Sequence, residues 1–164
     1  MYGQTIGSAA RRASETAPLS TLKGMSAFRF YREPAAVCKI LIVDDNASFR
    51  RSLKAFLSAR FARLGIAEAE NGAAAMKAIG RARPAVIFMD IKLSGENGLA
   101  LTRRIKQIYS PAVVILTSYD AVEYREAASA CGADYFLAKD AVSGAEVFAL
   151  IQSFLPNLSS SSEV

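Results

Sequence analysis

The sequence predicts an α/β fold, a doubly wound five-stranded parallel sheet. Three observations predict it. Short apolar segments alternate five times with segments of helical period. The apolar segments show no clear in/out alternation, the pattern of strands covered on both faces. Finally, polar residues able to do chemistry recur just after the apolar segments, where such folds build their sites.

The elements follow in order. Lys39–Val43 is a short apolar strand, and Phe49, Leu53, Phe56, Leu57, Phe61 and Leu64 then follow helical spacing. Ile66–Glu70 is a weaker strand, and Ala73–Ile79 a short Ala-rich helix. "AVIFMD" (85–90) is a strand ending in a carboxylate, and Leu101, Ile105 and Ile108 mark the next helix face. "PAVVILTS" (111–118) is a strand opened by Pro. Val122–Cys131 reads as a helix stopped by Gly132, and "DYFLAK" (134–139) is the fifth strand. Ser143 and Glu146 fit a capping box for a last helix faced by Val147, Leu150, Ile151 and Phe154. Right-handed crossovers then make all five strands parallel.

Composition narrows the function classes. Apolar residues make up 52% of the 164-residue chain, enough for one packed core. No apolar run is long enough to suggest a membrane span. Cys38 and Cys131 are the only cysteines and read as small apolar fillers, so a reducing, cytoplasmic setting is expected. The absence of His removes the commonest zinc ligand and general base. The net charge of +5 is spread along the chain, and no basic helix shows base-reading spacing, so no direct nucleic-acid binding is expected. Residues 1–37 read as a flexible extension, with Met25 a plausible alternative start, residues 38–156 as the folded domain, and residues 157–164 as a flexible tail.

Five parallel strands carry their C-terminal residues to one edge. Strand one ends at Asp44 and Asp45, strand three at Asp90, strand four at Thr117 and Ser118, and strand five at Lys139. Adjacent carboxylates repel, and at the mouth of an apolar core they are costly to desolvate. Three such groups without His or Cys suit a hard, oxygen-preferring cation such as Mg²⁺. Lys139 can balance a further negative group and Thr117 can donate to an oxyanion. Together they describe a site for Mg²⁺ and a phosphoryl group, with one Asp as nucleophile.

"ILIVDD", "VIFMDIKLSGENGL", "VVILTS" and "GADYFLAK" resemble, in order and spacing, the signature blocks of response-regulator receiver domains, whose fold is flavodoxin-like (βα)5. The resemblance covers about residues 38–156. It implies that Asp90 accepts a phosphoryl group from a phosphohistidine on a sensor histidine kinase or histidine phosphotransfer protein. It implies that Asp44, Asp45, Asp90 and the main-chain carbonyl of Lys92 hold Mg²⁺, and that Thr117 and Lys139 contact the phosphoryl oxygens. Phe136 falls at the family's switch aromatic, often Tyr, which with Thr117 reshapes a face for a downstream effector protein. The chain would promote its own phosphorylation and dephosphorylation without being a turnover enzyme.

The sequence departs from the family at two places. Asp140 follows Lys139 where Pro with a cis bond is common, so a trans bond or distorted loop is expected. Lys-Asp here is frequent in receivers of LuxR-type regulators. The Pro often found at Ser94 is also absent, which leaves the loop after Asp90 freer. Lys92 and Tyr119 occupy positions that tune phosphoryl lifetime, and their size implies slow self-hydrolysis. The basic row Arg50, Arg51 and Lys54 reads as a solvated face or a kinase contact. Phe148 and Leu155, seven apart beside the last helix's core stripe, mark either a homodimer surface or a broad core stripe. Two other functions stay open: a pseudo-receiver that binds partners without phosphorylation, and an aspartyl-phosphate phosphatase. The phosphatase needs a second Asp where Lys92 stands.

Overall fold

The structure, a computed structural model, describes residues 38–61 and 64–156. The expected extension (1–37) and tail (157–164) lie outside the described residues. The elements run β1 (Cys38–Val43), α1 (Ala47–Arg60), β2 (Gly65–Ala69), α2 (Gly72–Ala82), β3 (Val86–Met89), β4 (Lys92–Leu93), β5 (Glu96–Asn97), α3 (Gly98–Ile108), β6 (Ala112–Thr117), α4 (Val122–Ala130), β7 (Tyr135–Ala138) and α5 (Gly144–Phe154). Five strands form one parallel sheet in the order β2-β1-β3-β6-β7. This is the doubly wound, flavodoxin-like order, with its reversal beside β1 and β3.

Each central strand feeds two cores. Leu41, Val43, Ile87, Met89, Val113 and Ile115 point to one face, where Ala75 and Ile79 of α2, Leu101 and Ile105 of α3 and Ala128 of α4 meet them. Ile40, Ile42, Val86, Phe88, Val114 and Leu116 point to the other, against Leu53 and Leu57 of α1 and Val147, Leu150 and Ile151 of α5. Alternate side chains go to opposite faces, and both faces are covered, so the strands read as continuously apolar. Among the described residues, no helix is long and apolar enough to cross a membrane.

Local chemistry sets the ends. Asn46 caps α1 by accepting from the Ser48 and Phe49 amides. Ser143 and Glu146 form the expected capping box of α5. α4 ends at the expected place, with Gly132 at φ 88°.

Several boundaries differ from the sequence reading. α1 stops at Arg60 rather than continuing through Leu64, because Phe61 turns extended and buries its ring. α2 runs beyond Ile79 to Ala82 and ends where Arg83, at φ 42°, precedes Pro84. The loop after Asp90 folds into an antiparallel ribbon, β4 with β5, turned by Ser94 and Gly95. Phe148 is half-buried and stacks on Phe61, with ring centroids 5.1 Å apart, and half-buried Leu155 packs on the same core. That packing places both residues along the core stripe, each still partly exposed.

Candidate functional site

Register brings the carboxylates together. Val43 and Met89 are partners on neighbouring strands, so Asp44 and Asp90, which follow them, leave the sheet side by side. The Asp90 amide donates to Val43 O at 2.9 Å and the Asp44 amide to Ala69 O at 3.1 Å. Asp44 is 2% exposed and Asp90 7%, while Asp45 is open to solvent. One carboxylate oxygen from each of Asp44, Asp45 and Asp90 lies within 4.8 Å of the others.

Lys139 completes the cluster. Its Nζ lies 2.6 Å from Asp44 Oδ2 and 2.8 Å from Asp90 Oδ2, and 4.5 Å from the centroid of the Phe49 ring. Burial disfavours the ammonium, but its hydrogen bonds to Asp44 and Asp90 outweigh that and raise its pKa. Burial pushes the Asp44 carboxyl up despite Lys139 and the Asn46 amide, which donates to Asp44 Oδ1. A buried carboxylate held at such cost, with two more carboxylates in reach, is a donor set that fits a hard divalent cation.

Thr117 is fully buried at the end of β6, and its Oγ1 accepts from the Tyr119 amide at 3.4 Å. Its carbonyl accepts from the Lys139 amide at 2.8 Å, which ties the hydroxyl's backbone to the lysine's. After Lys139 the chain turns through Asp140, closed by the Ala141 and Val142 amides on Ala138 O. Phe136 is half-buried on β7, beneath the Arg125 guanidinium 4.6 Å from its ring centroid, and Arg125 is paired with Asp120. The Lys92 side chain is exposed and reaches across to Tyr119, with Nζ 3.3 Å from the hydroxyl. Both line a cavity of about 540 Å³ with Leu93, Glu96, Asn97 and Tyr124.

The basic row divides, contrary to its reading as one solvated face. Arg51 is exposed, but Arg50 donates from a terminal nitrogen to Asp44 O at 2.5 Å, and Lys54 pairs with Glu68 at 2.8 Å. Helical spacing alone could not reveal this, because the partners are a carbonyl just after β1 and a carboxylate on β2. Gly98 was also missed. A Cβ there would stand 1.8 Å from Asp90 O, so only glycine lets α3 start against the Asp90 backbone. Its available signal was the Asn97-Gly98 pair, and Asn97 does cap α3.

Comparison with known proteins agrees with this geometry. Residues 40–152 match the response regulator receiver domain, and the chain belongs to that family. It is 37% identical over 83 residues to the sensory transduction protein LytT of Bacillus subtilis, which covers 50% of this chain and 34% of that protein. A two-component response regulator from Clostridium difficile superposes with a TM-score of 0.68 at 26% identity, over 73% of this chain and 97% of that one. A response regulator from Burkholderia pseudomallei, solved with a phosphorylated aspartic acid and a calcium ion, superposes at 0.64 with 26% identity, over 71% and 67%. The chain spans between a third and a half of the length of the curated relatives it matches first.

Proposed function

We propose that residues 38–156 are the phosphoacceptor module of a two-component phosphorelay, with Asp90 as the phosphorylated residue. The observation that carries this is the Lys139 ammonium lodged between Asp44 and Asp90, with Asp45 at the open side. A sensor histidine kinase or a histidine phosphotransfer protein is the donor. An Asp90 carboxylate oxygen attacks phosphorus, the P–N bond to the imidazole breaks, and the imidazole keeps the electron pair and takes up a proton. The transition state is loose, so the site contributes position and charge more than covalent chemistry. Mg²⁺ would be held by Asp44, Asp45, Asp90 and the main-chain carbonyl of Lys92, and would supply positive charge beside the phosphoryl oxygens. Lys139 neutralises a second oxygen, and Thr117 donates its hydroxyl to a third.

Phosphorylation therefore competes for Lys139 and Thr117, which the Lys139–Thr117 backbone hydrogen bond couples. Movement of Thr117 opens room for Phe136, and the face of α4, β7 and α5 changes for a downstream effector protein. Lys92 and Tyr119, in contact across the site, screen the phosphoryl group from water and slow its hydrolysis. The Lys139-Asp140 ending is in keeping with a LuxR-type regulator in the cytoplasm.

The test is acetyl phosphate with Mg²⁺, read by intact mass. One phosphoryl adduct, absent in Asp90→Ala, is expected. No adduct, or an equal adduct in Asp90→Ala, refutes the proposal, and the absence of any adduct leaves the pseudo-receiver reading. Phosphatase turnover is not expected, because Lys92 stands where the general acid belongs and its ammonium is engaged with Tyr119.

A further inference from the structure

We infer that Arg50 is a positioning residue for the cation site, acting through the peptide that joins Asp44 to Asp45. The inference rests on the reading of Asp44, Asp45 and Asp90 as cation ligands.

The Arg50 side chain is only 12% exposed, unusual for arginine on the first turns of a surface helix. Its terminal nitrogen donates to Asp44 O at 2.5 Å, a charge-assisted bond across the β1–α1 junction. Its Nε is buried without a hydrogen bond and lies 3.8 Å from Glu68 Oε2, within ion-pair reach. Glu68 also pairs with Lys54, so β2 offers the guanidinium a fixed counter-charge. A chain does not hold a charge in this place for burial alone, since desolvating it is costly.

The geometry gives the charge a purpose. Asp44 O and the Asp45 amide belong to one planar peptide. Fixing that carbonyl fixes the plane and so the place of the Asp45 N and Cα, from which its side chain leaves. The Asp44 side chain is held separately, by Lys139 and by the Asn46 amide. Among the described residues, no side-chain hydrogen bond or close ion pair is found for Asp45 itself and only the Lys92 charge attracts it, so its placement leans on its backbone. Arg50, braced by Glu68, thus sets the most exposed carboxylate of the three toward the other two. Partners that orient a metal's ligands typically contribute about 10–100-fold to affinity.

The experiment is calorimetric titration of the full chain with MgCl₂, checked by Mn²⁺ electron paramagnetic resonance. Arg50→Met is expected to weaken Mg²⁺ binding by about tenfold or more. Arg50→Lys, which keeps one donor, is expected to restore part of it, and Glu68→Gln to weaken it by a smaller factor. Thermal midpoints are measured alongside. Arg50→Met with a lowered midpoint but Mg²⁺ affinity within twofold of the parent overturns the inference, since Arg50 would then only stabilise α1. Tighter binding overturns it too, since Arg50 would then act as a repelling charge. If Arg50→Met does not fold, parental affinity in both Arg50→Lys and Glu68→Gln overturns it. A parent chain that binds neither ion overturns the cation site and this inference together, whereas a binding parent with unaffected variants overturns this inference alone.

Discussion

Replacing Gly98 with alanine is expected to damage the site without touching a chemical group in it. The added Cβ would stand 1.8 Å from Asp90 O, 2.9 Å from Asp90 C and 3.2 Å from Ile91 Cα. Carbon and oxygen without a formal bond settle at about 3.3 Å or more, so something must move by about 1.5 Å. All three neighbours are backbone, and the Gly98 amide is itself bonded to Ile91 O at 2.8 Å, so no side chain can swing aside. Overpacking in a well-filled region costs about 1–3 kcal/mol, and rigid neighbours put this case at the upper end. That is a fall of about 10 °C in thermal midpoint for a domain of this size. The strain falls on Asp90, the proposed nucleophile, and a displacement of about 1 Å in a reacting group costs about 100-fold in rate. The assay is acetyl phosphate labelling of Asp90 followed by mass, beside thermal melting. Gly80→Ala is the control, because a Cβ there meets nothing within 4 Å and lies inside α2. It should stabilise by about 0.5–1 kcal/mol and leave labelling unchanged. A Gly98→Ala protein with the parent's labelling rate and midpoint would refute the close-approach argument.

Lys139→Ala should fold yet lose acetyl phosphate labelling, since Asp44 and Asp90 then face each other without the ammonium; labelling at the parent rate would count against its role. Phe148→Ala should cost about 2–3 kcal/mol in urea unfolding by removing the stack on Phe61, while sedimentation shows self-association unchanged from the parent. A change in oligomeric state without loss of stability would restore the dimer-surface reading. The Glu146 carboxyl is held below its usual pKa, first by the Ser143 amide and then by the Ser143 hydroxyl. A depressed folded pKa contributes stability above the unfolded value of 4.5 that is lost as pH falls through the folded value. Glu146→Gln should therefore flatten the acid limb of a melting-point-against-pH curve between those two values, and an unaltered limb would show that the capping box does not titrate. Ser143→Ala should cost about 1 kcal/mol in melting experiments at neutral pH, as N-cap losses do.

The candidate site was readable in outline because a parallel sheet makes strand order and strand ends nearly equivalent information. Once Val43, Met89, Thr117 and Ala138 end parallel strands, whatever follows them must gather at one edge, and Asp44, Asp90 and Lys139 do. What a strand end cannot reveal is which side chain turns inward. Asp44 is buried and Asp45 exposed, although they are neighbours of identical chemistry. The ribbon of Lys92–Leu93 with Glu96–Asn97 was unreadable because two residues carry no period. Phe148 could not be assigned between core and surface because the helical stripe is as wide as either reading needs, and only the position of Phe61 shows the stack its ring makes.

By itself the sequence determined the alternation of strands and helices, the cap of the last helix, and the five chemical groups at the strand ends. These rest on local propensity, on period, and on the direction that right-handed crossovers impose. Only the tertiary structure decided that Lys139 lies between two carboxylates, that Gly98 presses on the Asp90 backbone, and that Arg50 turns from solvent to Asp44 O. The first joins residues far apart in the chain, while the other two close over eight and six residues, all through distances of a few ångströms. Such distances are fixed by how helices rotate and pack on the sheet, which no local pattern encodes.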